Sequence, residues 1–208
     1  MKFRRLSIIT LVALASCQSV PDQRHIESPW VESFAAPNLI TTNRMRLEPL
    51  QPKFNQLDYA SAQSSGDHLR TTMQWGSWPS PEMTAAQNNG DLARHWQEFT
   101  NREAYAYTVL HPSGAPCIGC VYLNPVKNEP RSLRMAYWVT ADQLESALDQ
   151  HLVQTVLDSI AASWPVDTVM ISHPVQNPRG IQVLKQLGLK KAPQTAGRVN
   201  FAWNREAQ

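Results

Sequence analysis

The chain has 208 residues, of which 42% are hydrophobic, and its formal net charge at pH 7 is +2. This length and apolar content suffice for one domain of ordinary size with a real core. After the first few residues there is no run of basic side chains, which excludes the electrostatic footprint of a nucleic-acid-binding protein. The 15 prolines and 8 glycines predict many loop boundaries rather than a low-complexity chain.

The first 17 residues have the features of an export signal. Basic residues precede an apolar run from Leu6 to Ala15, which is too short for a membrane-spanning helix of about 20 residues. The small residues ending at Cys17 resemble a bacterial lipobox, which implies that Cys17 is lipidated and becomes the mature N-terminus. Gln18 stands where Asp would retain such a protein in the inner membrane, so we expect a lipid anchor on the periplasmic side of the outer membrane. Removal of the signal would change the formal net charge from +2 to −1, because it contains Lys2, Arg4 and Arg5.

A tether is predicted between this signal and the domain. Residues 18–37 are polar, contain three prolines and show neither helix nor strand periodicity. We therefore assign residues 1–17 to a lipoprotein signal peptide, 18–37 to a flexible tether and 38–208 to the domain. Trp30 and Phe34 are compatible with packing on the domain or on the lipid surface, and the sequence leaves both possibilities open.

The first half of the domain predicts one strand and two helices. The pattern favours a strand over 39–50, a helix over 54–65 and a Trp/Pro-rich loop over 75–79. Ser80 is expected to cap the second helix, with Pro81 at its first position.

The second half predicts alternating strands and helices. Strands are expected over 104–110, 117–124, 133–139, 166–173 and 199–203, and helices over 140–164 and 177–187. In the longer helix, apolar residues recur every four positions from Leu144 to Trp164. The predicted fold class is therefore α/β, a mostly antiparallel sheet flanked by helices.

This order of elements resembles the GNAT superfamily of N-acetyltransferases, nearest to its Rim-like branch that acts on ribosomal proteins. The resemblance covers roughly residues 39–192. It implies a GNAT-like fold and the transfer of an acetyl group from acetyl-CoA to an amine. Four segments carry the resemblance. They are, in chain order, an opening strand (Leu39–Leu50), an "IG" strand (Cys117–Val121), a "GYW" strand (Ala136–Val139) and a closing helix that runs from Asn to Gly (Asn177–Leu189).

The resemblance also implies where acetyl-CoA would bind. In the family, main-chain N–H groups of a Gln/Arg-x-x-Gly-x-Gly/Ala segment cradle the pyrophosphate at a helix start. Here Gln143 is present, but Ser146 and Leu148 replace the small residues, and two nearby carboxylates disfavour an anion. The cofactor-binding residues implied are Tyr137, Trp138, Val139, Gln143, Ser146, Ala147 and Asn177.

Two of these residues have structural alternatives. Gln143 fits a capping box with Thr140, in which its side chain reaches back to the helix start. Asn177 fits an ordinary N-cap before Pro178.

A general base is hard to assign. Many Rim-like members place a Glu just before the "GYW" strand, but here Arg134 occupies that position, and arginine stays protonated. Leu184 stands where some GNAT members have a tyrosine that acts as general acid. His173, at the end of a predicted strand, has a suitable ordinary pKa and is the candidate catalytic residue. A structural role for His173 is the alternative.

The pair Cys117 and Cys120 has the spacing of a redox or zinc half-site. On a strand, a spacing of three places the side chains on opposite faces. No nearby His or Cys pair completes a zinc site, so we expect core packing and no metal, with a strained disulfide as the alternative. The sequence also lacks the zincin helix motif, the nucleophile elbow and the phosphate-binding loop.

Trp75 and Trp78 lie where Rim-like enzymes receive their acceptor. They predict a site for a peptide or sugar, or alternatively a staple between a loop and a helix. Two functions stay open at this point. The first is an acetyltransferase that uses acetyl-CoA. The second is a catalytically inactive, membrane-tethered module that binds a periplasmic peptide, glycan or protein and is separated from cytosolic acetyl-CoA.

Overall fold

A computed structural model describes residue 30 and residues 33–207 of the chain. The predicted signal, Cys17 and most of the predicted tether lie outside the described residues. Within the described part, one mixed sheet has the strand order β1-β2-β3-β4-β5-β6-β8-β7. Its strands are β1 (Ile40–Thr41), β2 (Arg46–Pro49), β3 (Tyr105–Leu110), β4 (Cys117–Pro125), β5 (Ser132–Val139), β6 (Thr168–Pro174), β7 (Lys190–Lys191) and β8 (Arg198–Asn204).

Helices cover both faces of this sheet, so the predicted α/β fold class is confirmed. α1, α2 and the start of α3 pack on one face, whereas α4 and α5 pack on the other. The helices are α1 (Asn55–Ser64), α2 (Gly66–Met73), α3 (Ala85–Thr100), α4 (Leu148–Ser163) and α5 (Pro178–Gln186).

Two predicted helix starts are wrong. α3 begins after Thr84, which forms a capping box with Gln87, rather than after Ser80. α4 begins at Leu148 and not at residue 140. Residues 141–143 form a separate 3₁₀ turn, and the side chain of Thr140 does not cap it. α2 was not predicted, since its first residue, Gly66, has the sequence character of a helix end.

The strands β5 and β6 separate towards their carboxyl ends. They pair in parallel only where Ser132–Met135 lies beside Thr168–Ile171. Beyond that point β5 pairs with β4 alone, and β6 pairs with β8 alone. The separation creates an opening in the middle of the sheet, next to Tyr137 and His173.

A β-bulge places both cysteines of the CxxC pair on one face, so the prediction of opposite faces is wrong. Val109 lies opposite Gly119, but Leu110 lies opposite Cys117, which gives β4 one extra residue. The extra residue shifts the alternation of side chains. As a result Cys117 and Cys120 are both buried in the cluster beneath α1 and α2.

Trp30 and Phe34 pack on the domain. The ring centroid of Trp30 lies 5.2 Å from that of Tyr105 and 5.8 Å from that of Trp164. The hydroxyl of Tyr107 donates to the carbonyl of Pro37 at 2.9 Å. The end of the predicted tether is therefore part of the folded core. Among the described residues, none of the helices has the length and apolar character needed to cross a membrane.

Candidate functional site

The opening between β5 and β6 is filled by a chain of three hydrogen-bonded side chains. Nε2 of His173 lies 3.1 Å from the hydroxyl of Tyr137, and Nδ1 lies 3.3 Å from Nδ2 of Asn177. The remaining cavity has a volume of about 30 Å³. That is room for no more than a water molecule or two.

The hydrogen bonds of Asn177 fix the tautomer of His173. Oδ1 of Asn177 accepts from the N–H of Gly180 at 2.8 Å, so its Nδ2 donates to Nδ1 of His173. The ring proton is therefore on Nε2 and points at Tyr137. Asn177 acts as the N-cap of α5, and its predicted cofactor contact stays a prediction.

His173 is a weak base in this setting. Burial, with a smaller contribution from Arg198, lowers the pKa of its imidazole to about 4. The ring is 2% exposed, and a Cβ placed at Gly180 would lie 2.8 Å from it. His173 is thus neutral at pH 7 and sealed from solvent, while its catalytic role stays a prediction.

The start of α4 holds a carboxylate of the chain itself. Asp149 accepts from the N–H of Gln150 at 3.0 Å and from Nε and Nη2 of Arg179 at 2.7 and 2.9 Å. Arg179 also donates to the carbonyl of Leu144 at 2.6 Å. A helix N-terminus attracts anions, and here the buried Asp149 fills that position.

The loop before α4 uses its own main-chain donors. The N–H groups of Gln143 and Ala147 each donate to a carbonyl three residues earlier, and that of Ala141 donates to Oγ of Ser65 at 3.1 Å. Ser146 donates its hydroxyl to the carbonyl of Gln143, and Arg44 donates to the carbonyl of Ser146 at 2.5 Å. Four main-chain N–H groups between residues 141 and 147, including that of Leu144, are therefore already engaged within the fold.

The site as it is arranged leaves little room for acetyl-CoA in the position that the family resemblance implies. Its pantetheine arm would need the opening that Tyr137 and His173 fill. Its pyrophosphate would need the helix start that Asp149 and Arg179 occupy. The structure brings Tyr137, Trp138, Val139 and Asn177 around the small cavity and places Gln143, Ser146 and Ala147 in the adjoining loop. Their cofactor roles stay predictions.

A second, larger pocket lies on the face covered by α1 and α3. We call it the aromatic pocket, after Trp75, Trp78 and Tyr122, and its volume is about 350 Å³. The ring of Trp75 lies 5.5 Å from that of Trp78 and 5.7 Å from that of Tyr122. Trp78 also contacts Trp138, with 5.8 Å between centroids. Trp75 and Trp78, the two predicted substrate residues, therefore pack their loop against the sheet and also line a pocket.

The floor of the aromatic pocket is a buried carboxyl group. Burial raises the pKa of Asp58; its Oδ2 accepts from Nδ2 of Asn88 at 2.9 Å, and its Oδ1 accepts from the thiol of Cys120 at 3.3 Å. His95 stands at the wall, where burial and the neighbouring Arg94 lower its pKa. None of these residues was predicted to form a site. The available signal was a polar residue, Asp58, on the buried side of a helix.

A groove continues from the aromatic pocket along the same face of the sheet. Both are lined by Asn124 and Ala136, and the groove has a volume of about 630 Å³. Arg134 and Arg198 line it. The structure therefore places Arg134, the residue at the expected position of a base, on the groove side of β5.

Several acetyltransferases of known structure are similar to this chain. A RimL ribosomal L7/L12 alpha-N-protein acetyltransferase in complex with CoA has a TM-score of 0.70 at 12% identity, covering 82% of this chain and 99% of its own. The Vibrio fischeri ribosomal-protein-S5-alanine acetyltransferase also has a TM-score of 0.70 at 12% identity, with coverages of 81% and 97%. The microcin C7 self-immunity acetyltransferase MccE, solved with acetyl-CoA and AMP, has a TM-score of 0.68 at 13% identity, with coverages of 81% and 97%. At such identities these likenesses show the fold.

Sequence comparison gives the family. No curated protein sequence matches the chain. The acetyltransferase (GNAT) domain family, however, matches residues 44–190, which is most of the chain and includes both the filled opening and the aromatic pocket. The chain therefore belongs to the GNAT acetyltransferase family.

Proposed function

We propose that this GNAT domain binds an amine-bearing ligand in the aromatic pocket and does not use acetyl-CoA. The observation that carries the proposal is the contrast between the two sites. The opening where the family's cofactor is expected contains a cavity of about 30 Å³, whereas that of the aromatic pocket is about 350 Å³.

The chemistry of the aromatic pocket favours a cationic amine. Aromatic faces attract cations, and the attraction is larger where water is excluded. Trp75, Trp78 and Tyr122 supply such faces, and Asp91 supplies a carboxyl group. Arg94 also lines the pocket, but Glu98 accepts from it at 2.7 Å, which offsets its charge. A primary amine attached to an apolar group matches this lining.

The first experiment is a calorimetric titration of acetyl-CoA into the full chain. We expect no saturable heat up to millimolar ligand from a sample shown to be folded by circular dichroism. A Ser146→Gly variant should behave in the same way, because the Asp149–Arg179 pair still fills the helix start. Micromolar binding, about −8 kcal/mol, would overturn this part of the proposal.

The second experiment tests the amine with phenethylamine and its neutral N-acetyl derivative, followed by tryptophan fluorescence. We expect saturable binding of the amine and about tenfold weaker binding of the acetylated compound, because only the amine adds a cation–π attraction to the contacts that both phenyl rings make. Trp78→Leu should weaken amine binding, whereas Trp96→Leu, outside the pocket, should not. Equal binding of the two compounds would count against an amine site.

A second candidate function is the transfer of an acetyl group from acetyl-CoA to the amine in the aromatic pocket. Membership of the GNAT acetyltransferase family favours it. It requires the Tyr137–His173 contact and the Asp149–Arg179 pair to open. Acetyl-CoA binding in the titration, followed by acetylation of the amine detected by mass spectrometry, would establish it.

We further propose that the chain is lipid-anchored at Cys17 on the periplasmic side of the outer membrane. The support is the basic start, the short apolar run and the small residues before Cys17. Mass spectrometry of the mature N-terminus should find acylated Cys17, and a Cys17→Ser variant should leave the detergent phase in a phase-partition assay. An unprocessed N-terminus beginning with Met1 would contradict the anchor.

A further inference from the structure

Three potential metal ligands are buried together behind the aromatic pocket. Sγ of Cys117, Sγ of Cys120 and a carboxylate oxygen of Asp58 all lie within 4.8 Å of one another. The thiol of Cys120 donates to Oδ1 of Asp58 at 3.3 Å. The three side chains come from two elements, α1 and β4, which pack directly on each other.

These distances suit a tetrahedral zinc ion. Zinc binds thiolate sulfur at about 2.3 Å and carboxylate oxygen at about 2.1 Å, so neighbouring ligand atoms lie about 3.6–3.8 Å apart. The three atoms need to move by no more than about an ångström to reach this spacing. Three protein ligands with a fourth position left for water is a common arrangement of zinc in proteins.

The two cysteines are arranged as free thiols rather than as a disulfide. The bulge brings both side chains to one face, with their sulfur atoms within 4.8 Å of each other. An ion bound between them would bridge the pair through two metal–sulfur bonds of about 2.3 Å.

Three further contacts belong to this cluster, and in one of them the thiol of Cys117 donates to the carbonyl of Gly119 at 3.3 Å. The hydroxyl of Thr108 donates to Sγ of Cys117 at 3.4 Å, and Asn88 donates to the second oxygen of Asp58. Hydrogen bonds from residues that do not themselves bind the metal hold its ligands in position. Asp58 also lines the aromatic pocket, which gives an ion a route from solvent.

We propose that Cys117, Cys120 and Asp58 form a zinc site at the floor of the aromatic pocket. Zinc replaces the protons of the two thiols and of any protonated carboxyl group, and these protons pass to solvent. No electron transfer is involved. This site is independent of whether the opening between β5 and β6 binds acetyl-CoA.

The test uses cobalt(II) as a spectroscopic substitute for zinc in the full chain carrying Cys17→Ser. This background leaves Cys117 and Cys120 as the only cysteines. We expect one cobalt ion per chain, an intense near-ultraviolet thiolate-to-cobalt band and tetrahedral visible bands, all abolished when zinc is added. Asp58→Asn should weaken cobalt binding at least tenfold while the thiolate band survives at higher cobalt.

The control is the same background with Cys117→Ser and Cys120→Ser, which keeps the side-chain size and should remain folded by circular dichroism. It should show no thiolate-to-cobalt band. Three results would overturn the proposal: no band from the folded Cys17→Ser protein in excess cobalt, a band that persists in the serine variant, or a Cys117–Cys120 disulfide in freshly purified protein.

Discussion

His173 shows how burial changes the chemistry of a single residue. A surface histidine has a pKa near 6.5, but here burial lowers it to about 4. The unfolded chain therefore binds a proton at this residue at a higher pH than the folded chain does. By linkage, this contribution to stability is fully present above about pH 6.5 and is lost as the pH falls towards 4.

We therefore expect His173 to contribute about 2 kcal/mol to the loss of folding free energy between pH 7.5 and pH 5. Urea unfolding at both pH values would measure it. His173→Gln should be less stable at neutral pH but should lose less stability on acidification. An unchanged pH dependence would mean that the imidazole protonates within the folded state. Comparison with the variant is needed because burial also lowers the pKa of His68, His95 and His151.

Asp149 is the second residue whose role depends on its surroundings. Its side chain is 5% exposed and holds Arg179, which is 43% exposed. Asp149→Asn should cost about 1–3 kcal/mol of unfolding free energy, because a charge-assisted pair and the favourable interaction with the helix start are both lost. Asp158→Asn, on the exposed side of the same helix, should change stability by no more than about 0.5 kcal/mol. Equal effects in urea unfolding would show that the pair is not a stabilising contact.

At the scale of elements, the bulge between β3 and β4 determines which side chains meet. Gly119 lies at this bulge, and a Cβ there would lie 2.3 Å from the main-chain oxygen of Trp138. Since a backbone atom cannot move aside cheaply, Gly119→Ala should destabilise the protein by about 1–3 kcal/mol.

Gly90 provides the matched control for that substitution. It lies in α3, and a Cβ there would meet nothing within 4 Å. Gly90→Ala should therefore raise stability by about 0.5–1 kcal/mol, because alanine loses less conformational freedom in a helix. Thermal melts of both variants would test the pair of predictions. Similar shifts in Tm would contradict the close approach at Gly119.

At the scale of the whole molecule, the segment before β1 stabilises the domain. Trp30 and Phe34 are each 9% exposed and pack against Tyr105 and Trp164 in the main core cluster. Phe34→Ala should lower the free energy of unfolding by about 3 kcal/mol, as other truncations of buried aromatic side chains do. Trp75→Ala, in the half-buried loop, should cost less. Urea unfolding that ranked them in the opposite order would show that Phe34 lies outside the cooperative unit.

The sequence by itself determined the α/β class, the order of most strands and helices, and the family resemblance. These depend on local periodicity and on motifs such as the segment from Asn177 to Gly188, which short stretches of chain encode. The sequence also predicts a weakened cofactor site, since Ser146 stands where the family has glycine, and this stays a prediction.

Only the tertiary structure decided which side chains share a site. The bulge turned Cys117 and Cys120 to one face, which no spacing rule reveals, because a single extra residue shifts the side-chain alternation. The contacts of His173 with Tyr137 and of Asp149 with Arg179 join residues 30 or more positions apart. The aromatic pocket likewise needs α1, α3 and β4 to pack together, and long-range packing of this kind is absent from local sequence patterns.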